Sequence, residues 1–266
     1  MRTHKVLLAA LSAFLLTATI SPSAHAADGK YVALGDSYAT APGTRTYDNP
    51  GDACRRGPLA YPRLWAAQHS SVAFVEASCS GATTAEVLAS QVPQLTADTT
   101  LVTIQVGGND VGFVDILTQC ILTLDDQDCI NSVETAKQAA GTTLSPALTQ
   151  TYAAVRAAAP QARVIVVGYP RLYTLQGSCG ILGLSDAERS AMNSAADTLA
   201  DVTSARAAEA GFTFLDPRSS FDAHSICSSG PTWVTSLEWD KINESYHPNA
   251  AGHRDGYLPA LNALTG

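Results

Sequence analysis

Four short segments hold residue types that together could carry out acyl transfer. They are Gly35-Asp36-Ser37, Ser80-Gly81-Ala82-Thr83, Gly107-Gly108-Asn109-Asp110 and Ser245-Tyr246-His247-Pro248. A serine hydroxyl becomes a nucleophile when an imidazole removes its proton, which needs one Ser and one His brought to hydrogen-bond distance. The oxyanion formed by attack on a carbonyl needs donors, and the unhindered N–H of a glycine and the amide of an asparagine can supply them. Each segment also has an ordinary reading. Ser37 can cap a helix, Gly107-Gly108-Asn109 can be a turn, and Gly81 can precede a helix capped by Thr83 or Thr84.

The elements around these segments say whether they can meet. Five short apolar runs occur: Tyr31–Leu34, Val72–Val75, Leu101–Ile104, Val164–Val167 and Phe212–Leu215. Four of them are nearly continuous in apolar residues, as in strands covered on both faces. Helical patterns lie between and after them, over 58–69, 130–158, 185–210 and 248–264. A break is expected near Gly141 or Pro146. Ser185-Asp186-Ala187-Glu188 reads as a capping box, with Gly211 as the closing residue. Strands separated by helices predict a doubly wound parallel α/β sheet, whose ligand site lies at the carboxyl ends of the strands. Ser37, Gly81 and Asn109 follow the first, second and third strands. His247 precedes the last helix, and Pro248 keeps its backbone from continuing an earlier one. Of the remaining histidines beyond residue 26 (His69, His224 and His253), none has a loop expected beside that edge.

The four segments, in this order, resemble the SGNH (GDSL-type) hydrolase superfamily, and the likeness runs from Tyr31 to the C-terminal helix. It is closest to the secreted, three-disulfide lipases and phospholipases of actinobacteria, which carry a similar Cys79-Ser80-Gly81-Ala82-Thr83 segment. The resemblance implies a three-layer flavodoxin-like fold with a parallel central sheet of about five strands. It implies Ser37 as nucleophile and His247 as general base and then acid. The Ser37 N–H, the Gly81 N–H and the Asn109 side chain would form the oxyanion hole. The family usually places Asp three residues before this His, where the present chain has Glu244. Either Glu244 or a main-chain carbonyl, as at Ser245, could then orient the imidazole. The resemblance also implies pairing of Cys54 with Cys79, Cys120 with Cys129 and Cys179 with Cys227. The first bridge would steady the loop of Gly81. The α/β-hydrolase alternative needs Gly-x-Ser-x-Gly, whereas Ser37 is followed by Tyr38-Ala39 and sits very early in the chain.

Composition bounds the compartment and the partners. Arg2 and Lys5, the uncharged run Val6–Ile20 and Ala24-His25-Ala26 read as a secretory signal peptide over residues 1–26,. One hydrolase domain over 27–266 is expected to follow. Removing 26 of the 266 residues leaves 240, and losing Arg2 and Lys5 takes the formal charge from −8 to −10. Such an acidic chain is a poor nucleic-acid binder and offers no cationic face to anionic lipid. Six cysteines in an exported chain point to disulfides. A zinc site is disfavoured, since no Cys-x-x-Cys pair is present,. The expectation is a secreted, extracellular monomer that needs no cofactor or metal, has no integral membrane segment after processing and acts on acyl-ester or lipid substrates. No amphipathic lid helix is evident. A carbohydrate acetylesterase is the alternative enzyme, and a secreted binding domain on the same scaffold is the non-enzymatic one.

Overall fold

A computed structural model describes residues 29–123, 125–175, 177, 179 and 183–266. The proposed signal peptide over 1–26 lies outside the described residues. Among the described residues five strands form, β1 (Lys30–Gly35), β2 (Ala73–Glu76), β3 (Leu101–Gln105), β4 (Arg163–Val167) and β5 (Thr213–Leu215). All pair in parallel, in the order β2-β1-β3-β4-β5. Every one of the predicted apolar runs is a strand, within a residue or two at each end. The central strands β1 and β3 are buried almost throughout, so apolar residues occupy both faces and the period-2 signal disappears.

The helices are α1 (Tyr61–Gln68), α2 (Thr84–Glu86), α3 (Phe113–Leu122), α4 (Asp126–Ala139), α5 (Ser145–Ala158), α6 (Asp186–Glu209), α7 (Arg218–Phe221) and α8 (Leu258–Thr265). On one face of the sheet, the Tyr31 ring meets Trp65 of α1 and its hydroxyl bonds Thr103. Gln105 reaches Tyr257 just ahead of α8, and α1 packs on α8. The other helical layer is built from α2, α5 and α6, with α4 packed on α6. This is the three-layer arrangement expected.

Two boundaries differ from expectation. The helix over 130–158 starts earlier, at Asp126, capped by the Asp125 carboxylate on the Gln127 N–H. It does not break at Gly141 or Pro146 but passes through a π turn at Ala140–Leu144 into α5. Two more π turns among the described residues, Val87–Gln91 and Gly252–Tyr257, likewise end two residues before a proline, Pro93 and Pro259. Widening the turn relieves the clash of the proline ring with the carbonyl four residues back, where no N–H is available in any case. The last helix begins after Asn249, whose side chain accepts from the Ala251 and Gly252 N–H groups at 3.0 Å each. By contrast, the capping box at Ser185 and Glu188 is formed as expected, and Gly211 is left-handed at φ 68°.

Candidate active site

Gly35 ends β1 at φ 142°, and a Cβ there would stand 2.4 Å from the Gln105 carbonyl oxygen. Only glycine permits that approach. The buried Gln91 clasps it from the side: its Oε1 accepts from the Gly35 N–H (2.7 Å) and its Nε2 donates to the Gly35 carbonyl (2.9 Å). The next turn is held by Asp36, which accepts from the Tyr38 N–H and from the Tyr169 hydroxyl. Burial pushes the Asp36 carboxyl up to about 7. Ser37 therefore sits on a turn fixed from three sides, at the carboxyl edge of the sheet.

The Ser37 Oγ lies 2.8 Å from His247 Nε2. His247 Nδ1 lies 2.8 Å from the Ser245 carbonyl oxygen. A carbonyl can only accept, so Nδ1 carries the proton and Nε2 is the bare nitrogen facing the hydroxyl. The Glu244 carboxylate points elsewhere. Its Oε1 accepts from the Tyr47 hydroxyl (2.6 Å), and its Oε2 is 3.5 Å from Arg45 Nε. Of the two groups that could orient the imidazole, the Ser245 carbonyl is the one bonded to it. Burial, with a smaller contribution from the Arg55 cation, pushes His247 down to about 4, so the ring is neutral near pH 7.

The histidine loop has its own scaffold. Tyr246 is left-handed at φ 62°, a conformation a bulky residue holds only when its surroundings enforce it. Here Tyr38 donates to the Tyr246 carbonyl at 2.6 Å. Thr235 Oγ1 accepts from the His247 N–H (3.1 Å) and donates to the Glu244 carbonyl (2.7 Å), while the Thr235 N–H donates to the His247 carbonyl.

Gly81 follows β2 at φ 83°, and a Cβ there would meet nothing within 4 Å. Its constraint is conformational, and the space above it is open. Neither the Gly81 N–H nor the Ser37 N–H finds an acceptor among the described residues. Asn109, after β3, donates one amide N–H to the Ala82 carbonyl at 3.0 Å, which leaves the second N–H of that group for another partner,. Asp110 accepts from both the N–H and the hydroxyl of Thr84 and so ties the two loops together. The Cys54–Cys79 bridge anchors the Gly81 loop from the other side, and Cys120–Cys129 and Cys179–Cys227 complete the implied pairing.

Ser37, Gly81, Asn109 and His247 all face one cleft of about 460 Å³, whose walls include Phe113, Leu117 and Leu237. A smaller hollow of about 60 Å³ adjoins it at Ser37, Asn109 and Phe113 and is almost wholly apolar. Among the described residues, no three His, Cys, Asp or Glu side chains are grouped as metal ligands. Gln91, Tyr169 and Thr235 position the site but carry no recognisable motif. Tyr169 had a weak signal, since it follows β4 at the same edge.

The chain is similar to known hydrolases along nearly all of its described length. The model of the GDSL-like Lipase/Acylhydrolase family matches residues 33–254. Lipase 1 of Streptomyces coelicolor is 44% identical over 97% of this chain and 94% of its own length. The crystal structure of phospholipase A1 from Streptomyces albidoflavus NA297 superposes with a TM-score of 0.85 at 48% identity, covering 88% of this chain and 98% of that one. The extracellular lipase of Streptomyces rimosus gives a TM-score of 0.85 at 44% identity, over 89% and 100% of the two chains. With family, relatives and fold in agreement along nearly its whole described length, the chain belongs to the GDSL-like Lipase/Acylhydrolase family and is, by that membership, a carboxylic ester hydrolase.

Proposed function

We propose that this chain is a secreted hydrolase of fatty acyl esters in glycerolipids, triacylglycerol or phospholipid, working through an acyl-enzyme on Ser37. The observation that carries this reading is the relay Ser37 Oγ, His247 Nε2, His247 Nδ1, Ser245 O, with 2.8 Å at each hydrogen bond. His247 Nε2 takes the Ser37 proton as Oγ attacks the ester carbonyl. The oxyanion accepts from the Ser37 N–H, the Gly81 N–H and the second Asn109 amide N–H. One such donor is worth roughly 3 kcal/mol of barrier. Collapse breaks the bond to the alcohol, which leaves with the proton from Nε2. Water then attacks the acyl-Ser37, its proton passing to Nε2 and on to Oγ as the acid departs.

The acyl-lipid assignment rests on the apolar cleft and side hollow, on the relatives' names, and on the paired cysteines and leader-like residues 1–26, which favour export. Among the described residues, no helix is long and apolar enough to cross a membrane. The test is a substrate panel on the mature protein: p-nitrophenyl esters of increasing chain length, emulsified triacylglycerol, phosphatidylcholine and acetylated xylan. Turnover that rises from acetate to longer acyl chains supports the reading. A preference for acetylated xylan over every lipid contradicts it.

A further inference from the structure

Five large apolar side chains are more than half exposed among the described residues: Val114 (62%), Leu122 (66%), Leu175 (53%), Trp239 (68%) and Ile242 (53%). Four of the five, all but Leu175, border the cleft that holds Ser37 and His247. They come from two segments far apart in sequence, α3 and the turn Trp239–Glu244. Helix α3 already spends Ile116, Leu117 and Cys120 on the core, yet Val114, Ile121 and Leu122 extend its apolar surface round to the mouth of the cleft. A helix that only covers a core needs one apolar stripe, and a grouped exposed patch marks a contact surface. The patch is preformed. Cys120–Cys129 ties α3 to α4. The Trp239 turn is held by the Glu238 N–H on Ser245 Oγ and the Lys241 N–H on the Glu238 carbonyl.

We propose that this rim is a docking surface for a neutral or zwitterionic lipid aggregate, which it seats so that an ester passes from the aggregate into the cleft. This rests on the acyl-lipid reading above. The charged groups on and beside the two segments are Arg45, Arg55 and Lys241 against Asp115, Glu238, Asp240 and Glu244. They give no cationic excess, so an anionic surface is not favoured. A second copy of the chain seated there would cover the cleft, whereas a lipid surface delivers substrate to it.

The test uses the mature protein carrying Ser37→Ala, which binds without turnover if the catalytic reading holds, and phosphatidylcholine vesicles. Trp65 is buried and Trp233 is packed between Phe221 and His224, so Trp239 reports on the rim. The protein should float with the vesicles, and its tryptophan emission should shift to the blue. Adding Leu122→Ser and Trp239→Ser should weaken flotation by about tenfold or more, the scale expected for two lost apolar anchors. In the Ser37 background, the same pair should lose about tenfold on vesicle phosphatidylcholine yet stay within about threefold on dissolved p-nitrophenyl acetate. No flotation, or an equal loss on both substrates, overturns the proposal. So does tighter, salt-sensitive binding to phosphatidylglycerol vesicles, or self-association that the double variant abolishes in the absence of vesicle binding. Flotation is read without catalysis, so a wrong nucleophile and a wrong docking surface give different results.

Discussion

Glu244→Gln separates the two ways of holding the histidine. If the carboxylate oriented the imidazole and stabilised its cation, losing the charge should cost about 10⁴-fold in kcat, or roughly 5.5 kcal/mol of barrier. The contacts of Glu244 predict otherwise. Its Oε1 accepts from Tyr47 at 2.6 Å, and a glutamine oxygen can accept in its place. Its Oε2 is 3.5 Å from Arg45, whose guanidinium also pairs with Glu238. A pair of this kind contributes about 0–1 kcal/mol. For a chain of this size that corresponds to a Tm change of less than about 4 °C. Burial and, less, the Arg55 cation disfavour protonation of His247, and the Ser245 and Glu244 main chain oppose them. The expected result is a kcat/KM within about threefold of the parent on a soluble p-nitrophenyl ester, with the acid limb of the pH profile unmoved. A loss above about a hundredfold with Tm preserved would refute the carbonyl assignment.

Two further outcomes follow from the same geometry. Asn109→Ala should lower kcat by roughly 10² to 10³-fold with little change in KM, because an oxyanion donor acts in the transition state; a change confined to KM would place Asn109 in ordinary binding. The base must be neutral in the free enzyme, and His247 is pushed down to about 4, so kcat/KM should hold through pH 5–6 and fall only as His247 protonates. A profile already halved near the ordinary imidazole value of about 6.5 would show that the ring is not shielded in solution.

The inner strands β1, β3 and β4 were legible because burial on both faces leaves a plain apolar run, and the four chemical segments because each adjoins a strand end or the last helix. The pairing of Cys120 with Cys129 was also within reach, since the loop between them is short. Helix α3 was not read as an element at all. It follows directly on the glycines of the Gly107–Gly112 loop, which read as a turn, and its ten residues Phe113–Leu122 end just ahead of α4,. The π turns escaped because proline reads as a break, whereas a widened turn lets the helix pass. Gln91, Tyr169 and Thr235 act on loops far from them in sequence, and no local pattern announces such a contact. The choice between Glu244 and the Ser245 carbonyl lay beyond the sequence for a similar reason. It depends on where one side chain points, and Tyr47 and Arg45, about 200 residues earlier, draw it away,.

The pairing of Ser37 with His247 is tested most directly by a fluorophosphonate that captures the nucleophile. The mature protein is treated with the reagent, digested and mapped by mass spectrometry, in parallel with Ser37→Ala and His247→Ala. If Ser37 is the nucleophile and His247 its base, one adduct forms, on the peptide containing Ser37, absent from the Ser37→Ala protein and formed far more slowly in His247→Ala. Esterase turnover should be lost in both variants while their folds persist. An adduct on another serine, or near-normal turnover by Ser37→Ala, would contradict that assignment.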